Sequence, residues 1–97
     1  RQIMKTFNFF ADAGHGWLAV RVEDIEAIGL TAQEFSPYSY RSGDTLYLEE
    51  DCDAGVFIQK WEAVIGNFDS AFVDHGNYSP VRDLDRLPPD TLGNIWL

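Results

Sequence analysis

The sequence predicts an α+β fold: a small antiparallel sheet with two helices packed on one face, in the order ββαββαβ, followed by an extended C-terminal tail. Three observations carry that expectation. Aromatic and β-branched runs flank glycine turns twice, over residues 5–21 and 38–49. From Asp51 the apolar period changes from about 2 to about 3.6. After Tyr78 the chain carries Pro80, Pro88 and Pro89 and holds no sustained period.

The length of 97 residues suits a single domain with one core. Apolar residues make up 45% and aromatic residues 14%, enough for a packed interior, so global disorder is not expected. Arg1-Gln2-Ile3 precede Met4, which reads as a native start, so residues 1–3 read as an addition. Without Arg1 the formal charge moves from −9 to −10.

Lys5 to Ala11 suits a strand, with Phe7 and Phe9 on one face and Asn8 and Phe10 on the other. Asp12 to Gly16 is a turn with two glycines, leading into a second strand from Trp17 to Arg21. Val22, Ile25 and Ile28 fall at helical spacing, with Glu23, Asp24 and Glu26 on the expected solvent side and Gly29 as the stop. Leu30 to Pro37 is connecting chain with Phe35 turned inward. Tyr38 to Arg41 and Thr45 to Glu49 form a second hairpin around Ser42-Gly43-Asp44. That hairpin and the helix after it should hold the middle of the sheet.

The second helix is expected over residues 51–65, with Asp51 as N-cap and Asp53 in the first turn. Ala54, Phe57, Ile58, Trp61 and Ile65 form its apolar stripe. Gly55 weakens the helix by about 1 kcal/mol and suggests a close approach. Phe68 to Asp74 is the last strand, and His75-Gly76-Asn77 is a turn. The tail, residues 79–97, should lie over the body, held at Val81, Leu84 and Trp96.

Sixteen Asp and Glu against seven Lys and Arg give the net charge of −9. That argues against direct nucleic-acid binding, where Lys and Arg neutralise phosphates, and against an anionic membrane surface. It favours a basic partner, or plain solubility. One cysteine, Cys52, leaves no internal disulfide and fits a reducing cytoplasm. No stretch approaches the ~20 apolar residues of a membrane helix, and no signal peptide is visible.

Glu49, Glu50, Asp51 and Asp53 are the most unusual feature, four carboxylates within five positions at a helix start. Capping and the helix dipole account for two of them without any function. As a surface, the four could imitate a row of phosphates and occupy the basic groove of a nucleic-acid-binding protein, extended by Glu34, Asp44, Glu62 and Asp69. As metal ligands they would suit Mg or Ca, but the spacing is not an EF-hand, and no metal or other cofactor is expected. His15, His75 and Cys52 can be arranged on paper as a nucleophile and base. The acidic neighbours raise the Cys52 thiol pKa where a nucleophile needs it lowered, so Cys52 reads as a small buried residue. A zinc site would need four ligands at a spacing this chain lacks. Tyr38 and Tyr40 become interface anchors if they are exposed beside the acids. Arg82 is the best candidate to pair with the acidic corner.

His15-Gly16-Trp17-Leu18, Tyr38-Ser39-Tyr40, Tyr47 to Ala54, and His75 followed by Ser79-Pro80-Val81-Arg82 form a pattern running from about Phe7 to Arg82. In these phrases the chain resembles a family of small acidic proteins, without an established activity, carried by bacteriophages and other bacterial mobile elements. The resemblance implies a small accessory protein in the cytoplasm of a bacterial host cell, and inhibition of a host defence, anti-CRISPR-like, is a common occupation of such proteins.

The expected function is therefore that of a non-catalytic inhibitor. Glu49, Glu50, Asp51, Asp53, Asp44, Tyr38 and Tyr40 would meet a basic host protein, one that itself binds nucleic acid. The first alternative is a small metal-assisted hydrolase using His15, His75 and the Glu49–Asp53 cluster. Convergence of both histidines on that cluster would favour it. A structural or assembly protein of the element is the second alternative. The oligomeric state is open.

Overall fold

The structure is a computed structural model, and it describes residues 4–87. Strands β1 (Thr6–Ala11) and β2 (Gly16–Arg21) form the first hairpin, closed where the Asp12 amide donates to the His15 carbonyl at 2.9 Å. Helix α1 (Val22–Ala27) follows, stopped by Gly29 at φ +84°, a region that favours glycine. Strands β3 (Tyr40–Ser42) and β4 (Thr45–Glu49) form the second hairpin, and helix α2 (Asp53–Val64) leads to β5 (Asp69–Asp74). A two-residue strand, β6 (Asp85–Arg86), closes the order β5-β1-β2-β4-β3-β6.

The sheet is mixed, not antiparallel. β5 runs parallel to β1, with Thr6 beside Asp69 and Ala11 beside Asp74. Parallel neighbours need a long crossover, and α2 supplies it by carrying the chain from β4 over β2 and β1 to the far edge. Of the segment expected as an extended tail, Pro80–Asp83 is a turn of 3-10 helix and Asp85–Arg86 is an edge strand. Val81 is buried and Leu84 packs beside it as expected, while Trp96 lies outside the described residues.

Strand alternation sorts side chains between two apolar layers. Phe7, Leu18, Val20, Leu46 and Leu48 face α1 and α2, and meet Ile25, Ile28, Phe35, Ala54, Phe57, Trp61 and Leu87 there. Each of the larger side chains stabilises the fold by roughly 1.5–3 kcal/mol through burial. On the other face Trp17 and Tyr40 pack with Val81, flanked by Phe10, Tyr47 and Leu84. The C-terminal segment thus covers the second face, which the helices leave open.

Several local expectations need correction. Asp51 does not cap α2: the N-cap position falls on Cys52, no side chain makes a capping bond, and Asp51 is exposed in the preceding turn. Ile65 is off the buried stripe and exposed, because α2 ends at Val64 and Gly66, at φ +126°, redirects the chain to β5. Gly55 faces open space, so no close approach requires it. Asp24 is buried rather than solvated, and Lys5 Nζ lies 3.3 Å from its carboxylate.

Candidate functional site

Two segments meet at one end of the sheet: the β1–β2 turn and the corner between β4 and α2. Their meeting is set by register, since Trp17 pairs with Glu49 and the Glu50 amide donates to the Gly16 carbonyl at 3.0 Å. Gly16 has to be glycine here. A Cβ would stand 2.4 Å from Phe9 Cζ and 3.0 Å from the Glu50 carboxylate.

The four carboxylates of the acidic phrase separate by burial. Glu50 and Asp51 are exposed, whereas Glu49 and Asp53 are buried. Glu49 Oε1 accepts from the Asp51 amide at 2.9 Å and the Cys52 thiol at 3.5 Å, and Oε2 lies 3.3 Å from His15 Nδ1. Asp53 Oδ2 accepts from the Ser36 amide at 2.9 Å, the Ser36 hydroxyl at 2.7 Å and the Ser39 hydroxyl. Ser39 Oγ in turn accepts from the Glu49 amide at 3.0 Å. Ser39 is wholly buried, so this chain of bonds ties the start of α2 to β4 and to the loop before β3. The serine between the two tyrosines and the aspartate after Cys52 are therefore structural partners.

Of the other expected site residues, Asp44 lies in the β3–β4 turn, at the opposite end of β4 from Glu49 and outside the corner. Glu34 is exposed on a turn of 3-10 helix (Ala32–Glu34), where its carboxylate accepts from the Thr31 amide at 3.0 Å. Asp69, at the start of β5, lies at the far end of the sheet from the corner. The two tyrosines part company. Tyr40 is buried with the Arg86 guanidinium 4.9 Å above its ring, and Tyr38 is 66% exposed. Tyr38, Tyr40, His15, Glu49, Asp51, Cys52 and Arg86 line a recess of about 290 Å³.

His75 stands elsewhere. It stacks on Phe10 at 5.1 Å, its Nδ1 lies 2.7 Å from Ser79 Oγ, and it lines a second, apolar recess of about 260 Å³. The two histidines do not converge. One ligand atom each from His15, Glu49, Glu50 and Asp51 lie within 4.8 Å of one another, and Asp53 and His75 are not in that group.

Arg82 pairs with Asp12 and not with the acidic corner. Its Nε and Nη2 donate to the two Asp12 oxygens at 2.6 and 2.9 Å, and its guanidinium lies over Trp17 at 5.2 Å. Asp12 accepts as well from the amides of Ser79, Gly14 and His15, at 2.8, 2.9 and 3.0 Å. One inaccessible carboxylate thus shapes the turn that carries His15 and fastens the C-terminal segment to it. Sequence reasoning missed Asp12, although an aspartate opening an Asp-Ala-Gly turn is an available signal for a side chain that bonds backbone amides.

The Arg82 guanidinium holds the Asp12 carboxyl far below the usual carboxylate range, and the Ser79, His15 and Gly14 amides add to this against the opposing effect of burial. A depressed folded-state value contributes stability that is complete above the unfolded value of about 4 and is lost as pH falls below it. The stability gap between wild type and Asp12→Asn is expected to be widest near neutrality and to narrow below about pH 4. Urea midpoints of both proteins across an acid series measure it. A gap independent of pH would break the assignment.

Cys52 is exposed as a residue, not the buried one expected, yet its thiol lies against Glu49 and, at 3.6 Å, against the Ser36 hydroxyl. Burial of the sulfur raises its pKa, the Ser36 hydroxyl opposes this, and the Asp53 charge and the Glu49 bond reinforce it. The thiol should alkylate with iodoacetamide at neutral pH more slowly than free cysteine. Faster alkylation would mark a reactive centre.

No family model, curated protein or solved structure matches this chain. No helix among the described residues is long and apolar enough to cross a membrane.

Proposed function

We propose that the protein is a non-catalytic binding protein that takes a basic partner on its acidic corner. The observation that carries this reading is an exposed aromatic, Tyr38, and an exposed acid, Asp51, lining the same 290 Å³ recess, with exposed Glu50 next to Asp51 in the chain. An aromatic anchor beside exposed acids suits a lysine or arginine side chain: the ring covers its stem and the carboxylates meet its charge. The preferred partner is a host nucleic-acid-binding protein, met in the manner of an anti-defence inhibitor carried by a phage or mobile element. The net charge of −9 supports steering towards such a surface. The surface is smaller than a phosphate row, because Glu49 and Asp53 face inward.

Affinity capture from a bacterial lysate followed by mass spectrometry identifies the partner, and binding is then measured against salt. Glu50→Gln with Asp51→Asn should slow association by roughly tenfold at low salt, with the difference shrinking as screening shortens to ~8 Å. Both side chains are exposed, so the fold should be unchanged. Nucleic acid should compete for the same site on the partner. Salt-insensitive binding by an unaffected double variant, with nucleic acid bound at the same time, would exclude the reading.

A second reading rests on the group His15, Glu49, Glu50 and Asp51. One imidazole and three carboxylates form a donor set suited to Mn²⁺ or Zn²⁺, and such an ion would turn the corner towards hydrolysis. Calorimetric titration with each ion, on wild type and His15→Ala, tests it. Absence of heat in wild type removes the reading.

A further inference from the structure

The outer edge of β5 is unpaired among the described residues. The Asp69 and His75 amides donate inward, to the Lys5 and Ala11 carbonyls at 2.8 and 2.7 Å. Because amide direction alternates along a strand, the Ser70, Phe72 and Asp74 amides point outward, away from β1. Exposed Asp69 and Asp74 stand at the two ends of this edge. Between them Phe72 is 68% exposed, stacked on Phe9 at 6.1 Å.

We propose that this edge accepts an extended basic segment of a partner protein as a seventh strand. Main-chain bonds to the three outward amides and their carbonyls would supply the pairing. Phe72 would pack an apolar side chain, and the terminal aspartates would select lysine or arginine at the flanking positions. A second copy of this chain fits poorly. Pairing centred on Phe72 would satisfy the outward amides of both copies, but it would set Asp74 opposite Ser70, next to Asp69, at both ends of the seam. Each copy also carries a charge of −9. Charge on an edge strand guards against self-association, and here the same charge leaves the edge open to a strand of opposite sign. The inference is independent of the acidic corner, since β2 and β1 separate β4 from β5.

The test uses the full chain and synthetic peptides of about seven residues, alternating valine and threonine with lysine at both ends. Hydrogen exchange by NMR reads the backbone. The lysine peptide should slow exchange at Ser70, Phe72 and Asp74, and a peptide with glutamate at its ends should not. Asp69→Asn with Asp74→Asn should weaken the lysine peptide by roughly tenfold. Phe72→Pro removes an outward amide and spares the bonds to β1, and it should abolish binding. If the proline variant fails to fold, the double asparagine variant still decides. Three results would overturn the proposal: outward amides already protected in the free protein, equal binding of both peptides, or peptide binding without a change at these amides. Glu50→Gln with Asp51→Asn should leave peptide binding intact.

Discussion

Replacing Trp61 with alanine is expected to lower the unfolding free energy by about 3–5 kcal/mol, the usual range for a large-to-small change in a core. Trp61 is 4% exposed and reaches the middle of the layer between sheet and helices. Phe7 meets it edge to face at 5.0 Å, and Phe57 tilts against it at 5.7 Å. Its indole Nε1 has no acceptor among the described residues, so the loss is one of packing and cavity alone. Trp61→Phe should recover part of it. Urea denaturation of the three proteins gives the comparison, and an unchanged midpoint for the alanine variant would show that this face of α2 is not buried.

Asp53→Ala should cost about 3 kcal/mol, close to the tryptophan change although it removes only a few atoms. Its Oδ2 is the acceptor for the Ser36 amide and for both serine hydroxyls, and Ser39 has no access to water. Removing the acceptor leaves the buried Ser39 hydroxyl and the half-buried Ser36 donors unpaired, at about 1–3 kcal/mol for each group that finds no substitute. Asp53→Asn keeps a carbonyl oxygen and should recover most of the loss. The same denaturation series, extended to binding of the partner, separates the two roles in question. If Asp53→Asn folds normally and binds normally, the side chain serves the scaffold through its acceptor oxygen, and its charge has no part in binding. If it folds normally and fails to bind, the carboxylate belongs to the interface after all.

The hairpins and the body of α2 were legible because they rest on local signals: glycine at the turns, alternation in the strands, and a stripe containing Phe57 and Trp61. The direction of β5 was not legible. Alternation in Asp69 to Asp74 is the same whether the neighbour runs parallel or antiparallel, and only the path of α2 decides it. The acidic phrase was legible as a cluster but not as a surface. Glu49 and Glu50 are adjacent carboxylates in sequence, yet strand β4 turns Glu49 towards the face of Trp17 and Tyr40, and Glu50 falls beyond its end. Asp53 is distinguished from Asp51 only by Ser36 and Ser39, which lie 17 and 14 residues away in the chain. Arg82 is legible as a residue that needs a carboxylate, but its partner is not, because Asp12 is 70 residues distant.

That last separation bears on how the molecule comes to be. β1 stands beside a strand beginning 63 residues later (69 − 6), and the clamp on its following turn waits for Arg82. During synthesis, at roughly 5–20 residues per second, the amino-terminal hairpin emerges seconds before either partner exists. Ala54, Phe57 and Trp61 likewise have to arrive before Phe7 is covered. Loop-closure entropy is met before these contacts return anything, which places folding towards the slow, millisecond-to-second end of the range for small domains. The nascent chain therefore leaves the ribosome with its first strand half-paired, and the domain closes only once nearly all of it has been made.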